Sequence, residues 1–82
     1  MNKNTIITIV KDLIGELNII EEGQLIDEDA SLCDEYGINS IIIIELVMKI
    51  EERFGIEFDD SELNHHQLDT VNKIVELIVN HE

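Results

Sequence analysis

The sequence is poor in the residues that break helices, cross-link chains or carry positive charge. It has no proline, no tryptophan, one cysteine, and five lysines and arginines among 82 residues. Without proline, long helices can run uninterrupted, and a single cysteine excludes an intramolecular disulfide. The three aromatic residues are Tyr36, Phe54 and Phe58, so aliphatic side chains must fill the core. A chain this short buries only about 60% of its unfolded surface, which predicts one domain over residues 1–82 and no deep catalytic cleft.

The scarcity of basic residues leaves a strongly acidic chain. Nineteen Asp and Glu oppose five Lys and Arg, for a formal net charge of −14, and no Lys or Arg occurs between Asp12 and Met48. Such a surface repels nucleic-acid phosphates and anionic membranes, and it attracts basic surfaces of partner proteins. The alternative is that the acids form a solvated face that only keeps the protein soluble. In either case their mutual repulsion predicts that added salt or divalent cations raise the melting temperature.

The sequence lacks a recognisable metal-ligand set. Its three histidines are not spaced with cysteine or glutamate as metal ligands are; they are His65, His66 and His81. The acids of 27–29 suggest a calcium loop, but its sixth and twelfth positions require Gly and Glu and hold Leu32 and Ile38. We therefore predict no metal site.

Targeting and membrane signals are also absent from the sequence. No basic segment followed by a long apolar run and a cleavage site opens the chain. The longest apolar run, Ile41 to Ile44, is far too short to span a bilayer. These patterns predict a soluble, cytoplasmic monomer, in which the lone Cys33 is an inert core or surface group and not a nucleophile.

Apolar periodicity predicts an all-α fold, a four-helix bundle of three longer helices and a short third one. The first helix is predicted from Asn4 to Leu17, with apolar residues three and four positions apart. A long first loop follows over 18–39, and its apolar residues predict that it packs over the bundle. The second helix is predicted from Asn39 or Ser40 to Phe54.

Capping residues place the later elements. Gly55 stands where the second helix should end in left-handed geometry, and 56–58 is predicted to be extended. Asp59, Asp60 or Ser61 can cap a short third helix that runs to about His66. Thr70 can cap a last helix that ends near Asn80.

The second helix has more apolar surface than a small bundle can bury. One stripe should face the core; it comprises Ile43, Leu46, Val47, Ile50 and Phe54. A second stripe of Ile41, Ile44 and Met48 lies more than a quarter-turn away and is bordered by glutamates. An exposed apolar strip edged by carboxylates is typical of a protein-docking surface. The alternative is that the long loop covers it.

Ser40 at the start of this helix allows several interpretations. Serine is a common N-cap residue, and capping alone would explain it. A role as a catalytic nucleophile is disfavoured, since no histidine or basic residue lies near it in the sequence. A phosphodiester on Ser40 is physically reasonable, because the free N–H groups and positive dipole end of a helix favour phosphate.

Two stretches of the chain resemble the acyl and peptidyl carrier protein family. Asp34 to Ile41 (DEYGINSI) and Glu45 to Phe58 (ELVMKIEERFGIEF) are similar to its phosphopantetheine attachment region, in which a glycine precedes by three residues a serine that opens the second helix. Asp59 to Leu63 and Thr70 to Val79 resemble the third and fourth helices of the family. The resemblance covers nearly the whole chain and is weakest in the first helix.

The resemblance implies a function for Ser40. A phosphopantetheinyl transferase would attach 4′-phosphopantetheine from coenzyme A to it, and the arm would hold acyl, aminoacyl or peptidyl groups as thioesters. The protein would not be an enzyme but would present cargo to loading and processing enzymes with basic surfaces. The implied recognition face consists of Asn39, Ile41, Ile44, Glu45, Met48, Glu51 and Glu52.

Two positions depart from the fatty-acid members of that family. Asn39 replaces the usual aspartate before the serine, and Ile42 stands where a polar or acidic residue is common. These changes favour a specialised-metabolite or peptide synthetase type pathway over a housekeeping fatty-acid carrier. Two other classes stay open: an acidic helical adaptor that docks through the strip without a prosthetic group, and a nucleic-acid mimic that occupies a basic protein.

Overall fold

The computed structural model describes residues 2–17 and 25–81, and every regular element in these two ranges is helical. The predicted all-α fold is therefore confirmed. The three longer helices are α1 (Lys3–Glu16), α3 (Ser40–Phe54) and α5 (Val71–Asn80). Two short α-helices, α2 (Leu32–Tyr36) and α4 (His65–Leu68), and a 3-10 helix (Asp60–Glu62) connect them.

Polar caps define where the helices begin. The side-chain oxygens of Asn2, Ser31, Asn64 and Thr70 each accept a backbone N–H from the first turn of the helix that follows. Each cap satisfies one of the N–H groups that a helix leaves free at its start. The cap at Asn2 explains why α1 begins one residue earlier than the apolar periodicity predicts.

Aliphatic side chains fill the core, as the scarcity of aromatic residues predicts. Helix α5 lies against α1, and α3 packs across α1. Each long helix contributes the apolar stripe that its periodicity indicates. The most deeply buried of these side chains, at 0–1% exposure, are Ile6, Val10, Ile14, Leu46, Ile50, Val71, Ile74, Val75 and Ile78.

The long first loop predicted over 18–39 contains a short helix, α2, in its second half, which was not predicted from the sequence. Ser31 caps this five-residue helix, and Gly37 ends it with φ of 67° in the left-handed region, which glycine adopts without steric cost. Leu32, the first residue of α2, and Ile38, which follows Gly37, are buried. One and a half turns are too short to produce a readable periodicity. Residues 18–24 of the predicted loop lie outside the described part of the chain.

The predicted third helix over about 59–66 is divided in two. Leu63 has φ of −92° and ψ of 64°, which is not helical and ends the 3-10 helix. Asn64 then caps the separate helix α4 by accepting the N–H of Gln67 at 3.0 Å. Two capping signals five residues apart, Asp59 and Asn64, favour two short elements over one continuous helix.

Polar contacts stabilise the segment from residue 25 to 38 and hold it on the bundle. Within the segment, the hydroxyl of Tyr36 accepts the N–H of Asp27 at 2.8 Å. Between the segment and α5, the carbonyl of Glu28 accepts the N–H of Asn72 at 3.1 Å. The Lys11 ammonium lies 3.1 Å from the Glu28 carboxylate. The described part of the first connection is thus packed over the bundle, as predicted. Within residues 2–17 and 25–81, no helix is long and apolar enough to cross a membrane.

Candidate functional site

Ser40 is the first residue of α3 and is exposed. The cap of this helix is Asn39, whose Oδ1 accepts the N–H groups of Ile41 and Ile42, both at 3.0 Å. The backbone carbonyl of Asn39 accepts the N–H of Ile43 at 2.9 Å. Capping therefore does not explain Ser40, and the hydroxyl lies beside a helix start that its neighbour already stabilises.

The electrostatic setting of Ser40 suits a negatively charged group. The first turn of α3 contains no acidic residue, although the chain as a whole is strongly acidic. The start of a 15-residue helix carries a partial positive charge from its aligned peptide dipoles. An anion attached at Ser40 would be stabilised there.

The second apolar stripe of α3 is exposed. Ile41, Ile44 and Met48 are 70%, 60% and 62% exposed. The described part of the first connection does not cover them. They form a strip that begins next to Ser40 and continues for two turns of α3; we call these three residues the apolar strip.

The glutamates predicted to border this strip differ in their surroundings. Glu45 and Glu52 are exposed and available to a partner. Glu51 is half-buried, and its Oε2 accepts the N–H of Phe58 at 2.9 Å. This bond fixes the extended segment after Gly55 against α3, so Glu51 has a structural role that the sequence did not indicate.

A cavity of about 240 Å³ opens beside Ser40. One side is the α3 wall, which contributes Ser40, Ile43, Ile44, Val47, Met48 and Glu51. The other side is formed by residues 59–68, which we call the second wall, through Leu63, Asn64 and Leu68. The lining is mainly aliphatic, so the cavity can take an apolar group that starts near the Ser40 hydroxyl.

The sequence-based predictions missed the second wall. Leu63 and Leu68 are the only aliphatic residues in the polar stretch 59–68, and this was the one signal that could have marked them. Leu68 is 4% exposed and anchors the wall in the core, whereas Leu63 is 38% exposed. Leu63 and Leu68 are more than 20 positions from Ser40 in the sequence, so only the fold shows that they line the same cavity.

A contact between His81 and Glu62 fastens the second wall to the end of α5. His81 Nε2 lies 3.0 Å from Oε1 and 2.9 Å from Oε2 of Glu62. The ring of His81 also meets the ring of Phe58 edge to face, with centroids 5.0 Å apart. The N–H of Asp59, which donates to Glu62 Oε1 at 2.9 Å, and then the His81 side chain lower the pKa of Glu62.

Asp69 fastens the other end of the second wall to α2. Its backbone carbonyl accepts the N–H of Leu32 at 2.6 Å. Its carboxylate Oδ1 accepts the hydroxyl of Ser31 at 2.9 Å. The described part of the first connection is therefore coupled to the residue that follows Leu68.

The remaining candidates do not form a site in the described residues. Cys33 is exposed on α2. Within residues 2–17 and 25–81, no three His, Cys, Asp or Glu side chains are grouped as a metal site requires. Of the three histidines, His81 contacts Glu62, which is 19 positions away in the sequence.

Comparison with known proteins gives two concordant results. Residues 4–78 match the family model described as phosphopantetheine attachment site. An acyl carrier protein of Thermotoga maritima is 35% identical over 77 residues, which cover 94% of this chain and 91% of that protein. An acyl carrier protein of Buchnera aphidicola is 37% identical over 78 residues, which cover 95% of this chain and 92% of that protein.

Proposed function

Because the chain belongs to the phosphopantetheine attachment site family, we propose that Ser40 is the residue to which its 4′-phosphopantetheine is attached. Members of this family carry acyl groups as thioesters on that arm and interact with a phosphopantetheinyl transferase and with partner enzymes. The observation that supports the assignment to Ser40 is its exposed position at the start of α3. Its hydroxyl is not needed as a cap, because the side chain of Asn39 caps the helix.

The residues around Ser40 fit the group. The attached phosphate would sit at the positive end of the α3 dipole, in a first helical turn that contains no acidic side chain. When bound, the arm supplies a thiol for the cargo and holds it at high effective concentration near a visiting active site. The protein performs no bond chemistry itself and works as a single domain and as a monomer.

Partner enzymes dock, in this proposal, on α3. The apolar strip offers exposed aliphatic contact, and Glu45 and Glu52 offer exposed carboxylates to basic partner surfaces. Rim charges of this kind steer association more than they strengthen it. Asn39 and Glu51 contribute by shaping the face, because hydrogen bonds within the chain already engage their side-chain oxygens.

The cavity beside Ser40 favours an acyl cargo. An apolar cavity of about 150 Å³ is enough to bind benzene, and this one measures about 240 Å³. A short or medium aliphatic chain on the arm would therefore find room between the two walls. A charged aminoacyl group would gain nothing from this lining.

Two pathway types are candidates, and a specific observation favours each. Asn39 and Ile42 favour a carrier of a specialised-metabolite or peptide synthetase type pathway. The similarity to two proteins named acyl carrier protein favours a housekeeping fatty-acid carrier. Asn39 accepts the same two N–H groups that an aspartate could accept, so its replacement of aspartate changes charge and leaves the cap intact.

Intact-protein mass spectrometry tests the attachment residue. Incubation with coenzyme A and a permissive phosphopantetheinyl transferase should add one phosphopantetheine group to the wild type and none to Ser40→Ala. The matched control is Ser61→Ala, which removes an exposed serine of the 3-10 helix. This variant should still be modified. An unmodified wild type across several transferases would contradict the proposal, as would a modified Ser40→Ala variant.

Partner capture separates the carrier from the two other classes. A pure adaptor would bind its partner with the same affinity when Ser40 is changed to Ala. A nucleic-acid mimic would lose affinity steeply as the salt concentration rises, whereas Ile44→Ala would hardly change its affinity. A carrier should need both Ser40 for turnover and the apolar strip for docking. The mass of the group still attached to protein isolated from its native cells would then identify the cargo and the pathway.

A further inference from the structure

The second wall is held on the bundle mainly by polar contacts. Of the side chains described between residues 59 and 68, Leu68 alone is buried. The 3-10 helix within this segment contributes no buried residue. A wall with so little apolar anchorage depends on whatever hydrogen bonds and ion pairs reach it from the rest of the fold.

Polar anchors flank this wall, and one lies within it. Glu51 holds Phe58, just before the wall, and Asp69 joins its end to α2. The anchor within the wall is the contact of Glu62 with His81. Both carboxylate oxygens of Glu62 lie 2.9–3.0 Å from His81 Nε2. Glu62 and His81 are about one-quarter exposed, with side-chain exposures of 23% and 24%, so the contact is partly shielded from solvent.

The position of Glu62 makes this contact relevant to the cavity. It directly precedes Leu63 and Asn64, which line the cavity opposite α3. His81 stands at the end of α5, a helix with five buried side chains, and its ring is braced by Phe58. The contact therefore connects the least anchored part of the cavity to a firmly packed helix.

We propose that His81 and Glu62 are positioning residues that hold the second wall closed over the cavity and so set how well a bound acyl chain is shielded. This inference rests on the proposed function, because it requires a cargo that starts from Ser40. Neither residue touches the attachment serine. They act through Leu63 and Asn64, whose position decides whether the cavity is enclosed.

The rate of cargo release by hydroxylamine tests this role. The protein is loaded with an octanoyl or an acetyl arm from the corresponding coenzyme A thioesters and a transferase. In the wild type the octanoyl group should be released more slowly than the acetyl group, which is too short to occupy the cavity. In His81→Phe, which keeps the ring and removes the hydrogen bond, octanoyl release should accelerate by about fivefold. Acetyl release should not change.

Two further variants separate positioning from general loss of stability. Glu62→Gln should reproduce the effect of His81→Phe, because it weakens the same contact from the other side. Glu28→Gln is the control, since it weakens a contact of the same kind, the somewhat more exposed ion pair with Lys11, which lies away from the cavity. Glu28→Gln should leave the octanoyl-to-acetyl ratio, which is the ratio of the two release rates, at the wild-type value.

Amide hydrogen exchange gives a readout that needs no arm. In unmodified His81→Phe, the amide of Leu63, which donates to the Asp60 carbonyl at 3.1 Å, should exchange about fivefold faster, while those of Leu46 and Ile50 in α3 should not change. Unchanged exchange, or an octanoyl-to-acetyl ratio that is the same in wild type and His81→Phe, overturns this inference alone. A wild type that accepts no arm overturns the proposed function. Faster exchange at Leu63 in His81→Phe would then still establish that the His81–Glu62 contact holds the second wall.

Discussion

The two walls of the cavity are built on different principles. The α3 wall is one continuous 15-residue helix with Leu46, Val47 and Ile50 buried in the core. The second wall consists of two short helical pieces and, among its described side chains, buries Leu68 alone. Burial fixes the first wall and polar contacts fix the second. In the proposed function, this combination would keep Ser40 and the apolar strip in fixed positions while the cargo enters and leaves past the second wall.

The walls also differ in charge. Helix α3 mixes Glu45, Glu51 and Glu52 with Lys49 and Arg53, for a net charge of −1. The stretch 54–72, which contains the second wall, has five acids and no Lys or Arg. Like charges repel one another at close range. This repulsion destabilises a wall that already has little apolar anchorage. The second wall should therefore respond first to changes in salt and pH.

The largest difference between the walls should appear when a leucine is truncated in each. Leu46→Ala removes a fully buried side chain of α3 and should lower the free energy of unfolding by about 3 kcal/mol. Leu63→Ala removes a side chain that is 38% exposed and should cost less than about 1 kcal/mol. Urea denaturation measures both. Equal costs would mean that the second wall is anchored by burial after all.

The cap of α3 should have the next largest effect. Asn39→Ala removes the oxygen that accepts the N–H groups of Ile41 and Ile42 and should cost about 1 kcal/mol in thermal or urea unfolding. Asn39→Asp keeps the acceptor, adds a negative charge at the positive end of the dipole, and should equal or exceed the wild type in stability. The matched cap of α4, Asn64→Ala, should cost less, because that helix has four residues. If Asn39→Ala is neutral, Ser40 must take over the cap.

The helices with a clear apolar period could be predicted from the sequence. Spacing and capping residues predicted a start of α3 at Asn39 or Ser40 and an end near Phe54, and the structure agrees. They also predicted the second apolar stripe, and the structure decides between its two interpretations, since the stripe is exposed. Such elements are long enough for the 3.6-residue period to repeat several times. The part of the site that lies on α3 was predictable for the same reason.

The second wall and α2 were not predictable in this way. Both are made of pieces of three to five residues whose ends depend on caps and tertiary contacts. The contact of His81 with Glu62 and that of Asp69 with Ser31 join residues 19 and 38 positions apart. No local pattern encodes such a pairing, because only the packed fold brings the partners together.

Added salt should stabilise the two walls to different extents. Screening of the acidic repulsion should raise the melting temperature by a few degrees. The amides of the second wall should gain more protection from hydrogen exchange than those of α3, since the stretch 54–72 has acids and no Lys or Arg, whereas α3 mixes both signs. The partly shielded Glu62 contact is screened less than exposed charges are. Equal gains in both walls would indicate that the repulsion is spread over the whole surface.

The smallest expected effect is the pH dependence of the Glu62 contact. The Asp59 N–H and then the His81 ring lower the pKa of Glu62 in the folded protein. A lowered pKa stabilises the fold above the unfolded value of about 4.3 and loses this contribution as the pH falls through the folded value. The stability difference between wild type and Glu62→Gln should therefore be full near pH 6 and shrink towards about pH 3. Repulsion among the other acids affects both proteins and largely cancels in this difference.

Glu28 provides the matched test of where that pH dependence acts. A hydrogen bond from its own backbone, followed by Lys11, lowers the pKa of Glu28 as well, so Glu28→Gln should show the same trend in global stability. Glu28→Gln should leave hydrogen exchange at the Leu63 amide unchanged, whereas Glu62→Gln should accelerate it above about pH 5 and less at lower pH. A pH-independent difference for Glu62→Gln would mean that its carboxylate contributes nothing through its charge. Faster exchange at Leu63 in both variants would mean that the second wall opens together with the first connection, and that the Glu62 contact has no separate effect on it.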